Sequence, residues 1–152
     1  MAVIKTAFTL TANRSTATTS AGPLSVALSL NASDTLTVDT VTSEIVTIPF
    51  TAATDVATKL IDGSDYMGSG VAGTDGGYVY LKNTTASGTG VIYVGVQKAG
   101  AAVDLDDDAQ DERFCTLKRG EFAFFPFDYT MDIYVDASIA SQQIEYWIFD
   151  RA

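Results

Sequence analysis

The sequence predicts an all-β protein, an antiparallel β-sandwich, on three observations. Runs of alternating apolar and polar residues recur, as in Leu24-Ser-Val-Ala-Leu-Ser-Leu30 and Thr35-Leu-Thr-Val-Asp-Thr-Val41. Alternation with period two sends successive side chains to opposite faces of an extended chain, which marks a half-buried strand. The runs are rich in Val, Ile, Thr, Tyr and Phe, residues that suit a pleated surface, and almost nothing in the chain favours a helix. Clusters of Gly, Asn, Asp and Ser punctuate them about every 10–12 residues, giving nine or ten short strands, the pattern of a sandwich or barrel. No repeat of fixed period is visible, which counts against a propeller or solenoid.

Residues 1–20 are Thr-rich with few large apolar side chains, and are expected to be either a frayed terminus or an extended arm ordered by a neighbour. The runs 24–30 and 35–41 flank Asn31-Ala-Ser-Asp34, whose Asn and Asp tolerate left-handed φ, so a hairpin is expected there. Glu44-Ile-Val-Thr-Ile48 follows and stops at Pro49. Residues 51–61 combine Ala, which favours a helix, with Thr51, Thr54, Val56 and Thr58, which do not; a strand ending at Leu60-Ile61 is expected. Residues 62–77 hold glycines at 63, 68, 70, 73, 76 and 77, and read as a long irregular loop. Strands are then expected at Tyr78–Lys82, Val91–Val96, Arg113–Leu117, Glu121–Phe125, Met131–Val135 and Gln143–Phe149. Lys118-Arg-Gly120 reads as a tight turn.

The 152 residues suit one domain of the usual ~100–150. Composition does not change between the halves, so a single domain over 1–152 is expected. There is no His, which removes the commonest general base and metal ligand. Cys115 is the single cysteine, so no intrachain disulfide or thiolate zinc cluster can form. Nine Lys and Arg against nineteen Asp and Glu leave a charge of -10, which repels nucleic acid and anionic membranes. No window approaches the ~20 apolar residues of a membrane helix. Thr6, Thr9 and Thr11 break the apolar core a secretory signal needs.

Asp104-Leu-Asp-Asp-Asp-Ala-Gln-Asp-Glu112 is the main charge cluster. Its first carboxylates match the odd positions of a helix–loop–helix calcium loop, but Ala109 stands where a Gly is needed and Cys115 where a bidentate Glu belongs. A solvated acidic loop is expected, with a looser cation cage as the other reading. Asp62, Asp65 and Asp75 could supply two carboxylates for glycoside hydrolysis, but no spacing fixes a pair, and turn-forming Asp is the simpler reading. Ser and Cys nucleophiles lack a His partner. Catalytic, cofactor and metal residues are therefore not assigned, and no cofactor is expected.

Glu121-Phe-Ala-Phe-Phe-Pro-Phe127 is apolar on both faces, with Phe122 and Phe124 on one side and Ala123 and Phe125 on the other. Ile144, Tyr146 and Ile148 oppose Trp147 and Phe149 in the last strand. Two readings follow. These are central strands, with one ring set in the core and the other under a loop; or one face is buried only in an oligomer or larger assembly, where aromatics are enriched. Under the second, Phe122, Phe124, Phe125, Phe127, Trp147 and Phe149 are the candidate interface.

The succession Gly-Gly-Tyr-Val-Tyr-Leu-Lys-Asn (76–83), Val-Ile-Tyr-Val-Gly-Val (91–96), Phe-Cys-Thr-Leu-Lys-Arg-Gly-Glu-Phe-Ala-Phe-Phe-Pro (114–126) and Ile-Glu-Tyr-Trp-Ile-Phe (144–149) resembles small virion proteins of tailed bacteriophages, notably cyanophages and other marine phages. The resemblance covers about half the chain, with Lys82, Asn83, Gly120 and Glu121 as the matching positions. It implies a jelly-roll-like sandwich located in the virion, made in the host cytoplasm. It also implies a head decoration (cement) protein or a tail component, not an enzyme. The expected partner is the major capsid protein or another virion protein, with a homo-oligomer, a trimer by preference, and no nucleic acid or membrane. The alternative is a tail or fibre module contacting host glycan through loop 62–77, Tyr66 and Tyr78.

Overall fold

The computed structural model describes residues 2–12, 28–50, 57–66, 76–98 and 113–151. Among these it forms nine strands: β1 (Ala2–Ala12), β2 (Leu28–Thr47), β3 (Thr58–Ile61), β4 (Gly76–Asn83), β5 (Val91–Lys98), β6 (Arg113–Lys118), β7 (Phe122–Asp128), β8 (Met131–Ala137) and β9 (Gln143–Arg151). One short 3-10 turn, Gly63–Tyr66, follows β3. The acidic stretch 104–112, the start of the run 24–30, and most of loop 62–77 lie outside the described residues.

The chain divides into two compact units, Met1–Val38 and Asp39–Ala152. In the first, β1 pairs antiparallel with the first part of β2, in an unbroken ladder from Ala2–Val38 to Ala12–Leu28. This corrects the expected hairpin. Asn31 pairs with Thr9, Ser33 with Ala7 and Asp34 with Thr6, so the presumed turn lies inside a strand. Turn-favouring side chains offer only a local alternative, and a long cross-strand ladder overrides it. Residues 2–12, expected to fray or to await a neighbour, pair with their own chain.

In the second unit, eight strands form two four-stranded antiparallel sheets, β2-β9-β4-β7 and β3-β8-β5-β6. Their pairings nest: β5 with β6, β4 with β7, β3 with β8, and β2 with β9. The pairs β4–β9 and β5–β8 then stitch the folded ribbon shut. A long antiparallel ribbon rolled in this way into two facing sheets is a jelly roll. The expected antiparallel, jelly-roll-like sandwich is the observed fold.

Alternation builds the core. In β4, Gly77, Val79, Leu81 and Asn83 are buried, and the residues between them are half-exposed. Val79, Leu81, Ile144, Ile148 and Ile48 from one sheet meet Ile61, Ile92, Val94, Leu117, Ile133 and Val135 from the other. Each such side chain contributes ~1.5–3 kcal/mol through burial. β8 is buried on both faces from Asp132 to Ala137. Asp132 is tolerated there because Lys59 Nζ lies 2.8 Å from Oδ2 and Gly63 N donates to Oδ1 at 3.0 Å. Gly63 approaches β8 so closely that a Cβ would collide with the carbonyl oxygens of Tyr129 and Met131.

The segment at 121–127 does not form a central strand. Among the described residues β7 is the last strand of its sheet, while β9 is internal, as expected. The ladder of β7 with β4 is prolonged by Asn83 N donating to Glu121 O at 3.0 Å. That bond puts the odd residues of β7 in register with β4, so the main-chain groups of Phe122, Phe124, Pro126 and Asp128 turn to the other side. Pro126 has no N–H to offer there, and proline within a sheet is confined to such edge positions.

One end of the sandwich is tied by three turns. Glu121 N donates to Lys118 O at 2.9 Å, Lys118 N donates to Glu121 Oε2 at 2.8 Å, and Gly120 has φ +81°. That left-handed φ is why Gly stands at 120. Gly120 N donates to Asn83 O at 2.9 Å, and Asn83 Nδ2 donates to Leu117 O at 3.0 Å. Thr85 N donates to Asn83 Oδ1 at 3.0 Å, and Gln143 N donates to Thr85 Oγ1 at 2.9 Å. Asn83, Gly120 and Glu121, three of the four positions of the resemblance, thus meet at one structural knot, and Lys82 pairs with Phe122 beside it.

Candidate protein-binding face

The outward residues of the β2-β9-β4-β7 sheet follow from parity. Ile48 in the continuation of β2, Ile144, Tyr146 and Ile148 in β9, and Val79 and Leu81 in β4 all face the core. Residues one step away therefore face outward: Val41 and Ile45 on β2, Trp147 and Phe149 on β9, Tyr78 and Tyr80 on β4, and Phe122 and Phe124 on β7. Ile45 and Phe122 are each 61% exposed.

Register lines these side chains up in rows. Tyr80 lies between Trp147 and Phe124, Tyr78 between Phe149 and Pro126, and Lys82 between Glu145 and Phe122. The rings lean on diagonal neighbours. Tyr78 and Phe124 stack with centroids 5.3 Å apart and planes 9° apart, and Tyr80 stacks on Phe122 at 5.8 Å. Trp147 stacks on Phe149 at 6.3 Å, and Phe149 meets Phe124 edge-on at 6.3 Å. Trp147 Nε1 donates to Glu145 Oε1 at 2.9 Å, so its polar atom is satisfied without a partner molecule. Pairs of this kind contribute ~0.5–1.5 kcal/mol beyond burial and hold the rings in place.

Four strands at about 4.8 Å spacing and about five residues at 3.3 Å give this face roughly 300 Å². Contiguous apolar patches of about 300–600 Å² are the largest on ordinary monomers and are often functional. The face is thus large enough to be functional. It is smaller than the ~800 Å² per partner of a standard interface.

The six candidate interface residues do not share one surface. Phe122, Phe124, Trp147 and Phe149 lie on the outer face. Phe125 and Phe127 point the other way, because they occupy the odd positions of β7. Phe127 is buried in the core, edge-on to Tyr129 at 5.8 Å, and Phe125 is half-buried against Phe114 at 4.9 Å. Tyr78 and Tyr80 complete the face, and Tyr80 was missed. The signal was available in Tyr78-Val-Tyr-Leu81, where inward Val79 and Leu81 send both tyrosines outward.

The proposed glycan pair is not brought together. Tyr66 packs on Tyr129 at 6.0 Å, while Tyr78 stacks on Phe124 in the outer face. Asp62 is engaged in its own turn: Ser64 Oγ donates to it at 2.6 Å and Lys59 Nζ at 3.0 Å, which hold its carboxyl down at about 2. Asp75 lies outside the described residues. Cys115 is half-buried, and burial pushes its thiol up to about 11.

Fold and face together define a class, a jelly-roll β-sandwich with a ring-paved outer sheet. No protein-family model matches the chain, and no curated protein is similar to it.

Proposed function

We propose that this protein is a non-enzymatic virion structural protein, a head decoration (cement) protein that seats on the outer capsid lattice through its aromatic sheet face. The exposed rings Phe122, Phe124 and Trp147, with half-buried Tyr78, Tyr80 and Phe149 stacked among them, carry this reading. The jelly-roll topology and the resemblance of residues 76–149 to phage virion proteins support it. Contact with neighbouring capsid subunits stabilises the assembled lattice by mass action, because only that state is bound. One face of roughly 300 Å² is small, but three in a trimer present about 900 Å², near the standard area per partner. Engaging them together adds avidity without further contacts.

The test is a binding assay on undecorated heads, comparing wild type with the double variant Phe122→Ser, Trp147→Ser. Losing two exposed aromatics from a buried contact, at ~1.5–3 kcal/mol each, weakens binding by at least roughly tenfold. Wild-type affinity in the double variant refutes the assignment of this face. Counting copies per particle separates head from tail. A number on the order of hundreds follows from filling a lattice, and roughly a dozen or fewer indicates a tail or fibre module arranged by symmetry.

A further inference from the structure

At the open side of the sandwich, β6 of one sheet and β7 of the other leave an apolar cavity of about 210 Å³. Val96, Phe114, Phe125, Pro126, Phe127 and Met131 line it. Phe114 and Phe125 meet edge-on at 4.9 Å and form one wall. A closed apolar cavity of about 150 Å³ is enough to take up benzene, so this one has room for a single large side chain. Among the described residues its rim carries one carboxylate, Asp128, which is exposed, accepts from Thr130 N at 2.8 Å and is kept ionised by its Thr130 hydrogen bonds.

The cavity adjoins the aromatic face. Pro126 belongs to both, paired with Tyr78 in the outer row and lining the cavity around the edge of β7. A molecule seated on Tyr78, Phe122 and Phe124 reaches the cavity by turning that edge. Pro126 leaves no main-chain donor midway along it, so strand addition is interrupted there and a side-chain anchor is the better hold.

We propose that this cavity seats one large apolar side chain, of phenylalanine or leucine size, carried by an extended segment of the protein that covers the aromatic face. A lysine or arginine next to that side chain complements Asp128 and the charge of -10 on the whole chain. The identity of the segment's owner as a virion protein rests on the function proposed above; the cavity's capacity for an apolar guest does not.

Benzene and indole, titrated into protein carrying 13C-methyl methionine, test the cavity directly. The Met131 methyl signal shifts and saturates. Val96→Phe fills the space and weakens probe binding at least tenfold. Phe114→Ala removes a wall at an exposed position and gives a second reading should Val96→Phe fold poorly. Absence of a saturable shift at Met131, or a shift indifferent to both variants, overturns the inference. On heads, Val96→Phe and Phe114→Ala bind at least tenfold more weakly than wild type. If both bind like wild type while Phe122→Ser, Trp147→Ser does not, the anchor is refuted and the aromatic face stands. If wild type itself does not bind heads, the proposed function falls, and the Met131 titration still decides the cavity.

Discussion

Asn83 is the residue on which the knot of three turns depends, and replacing it tests whether that knot holds the fold. It is fully buried; its Nδ2 donates to Leu117 O and its Oδ1 accepts from Thr85 N, both at 3.0 Å. Asn83→Ala strands Thr85 N and takes one of the bonds of Leu117 O, where water cannot replace them. A stranded group costs ~1–3 kcal/mol and a lost hydrogen bond ~0.5–1.5 kcal/mol, so a loss of about 3 kcal/mol is expected. At this size 1 kcal/mol moves Tm by roughly 3–5 °C, which places the fall near 10 °C in a melt followed by circular dichroism. Ile45→Thr, exposed and still β-branched, is the control and stays within ~0.5 kcal/mol. Asn83→Asp sharpens the test, because it keeps the acceptor for Thr85 N but sets a carboxylate against the Leu117 carbonyl. Burial and that carbonyl raise its folded pKa above the unfolded value near 3.9. The neutral acid can donate, so this variant is least impaired below about pH 4 and loses stability as pH rises through its folded pKa. An Asn83→Ala melt within about 3 °C of wild type, or an Asn83→Asp defect independent of pH, refutes the assigned role.

Three other outcomes follow from the same geometry. Gly63→Ala has no room beside the Tyr129 and Met131 carbonyl oxygens and loses at least ~3 kcal/mol, read from the urea midpoint. Asp62, held at about 2 against an ordinary 3.8, contributes stability above pH 4 that is lost as pH falls through 2; Asp62→Asn therefore converges with wild type in acid melts. Cys115, raised to about 11 from 9.0, reacts with iodoacetamide at pH 8 about 100-fold more slowly in folded than in unfolded protein, and folded stability drops as pH climbs from 9 towards 11.

The strands from 76 onward were legible because each alternates cleanly and ends at a residue with a mechanical reason to stop the strand. Gly120 is the clearest case, since its positive φ is what the turn between β6 and β7 requires. Neighbour relations were harder to read. Asn31-Ala-Ser-Asp34 has the chemistry of a turn, and only the ladder with β1, formed across the intervening residues 13–27, shows that it is strand. The aromatic run 122–127 showed two apolar faces but not which was inward, because that depends on the side from which the other sheet arrives. Pro126 was the overlooked clue that β7 sits at an edge. Without that phase the sequence places Phe127 on a surface and omits Tyr80 from one.

Pro126 also limits how copies of this molecule can associate. A sheet with an open row of amides and carbonyls is a template on which identical chains can zip together, and such growth has no natural end. Removing one donor from the middle of the β7 row interrupts that template. At high local concentration, copies meeting along this edge are left with side-chain contacts, which saturate and come apart, instead of a shared and lengthening sheet. One ring that cannot donate thus favours assembly that stops.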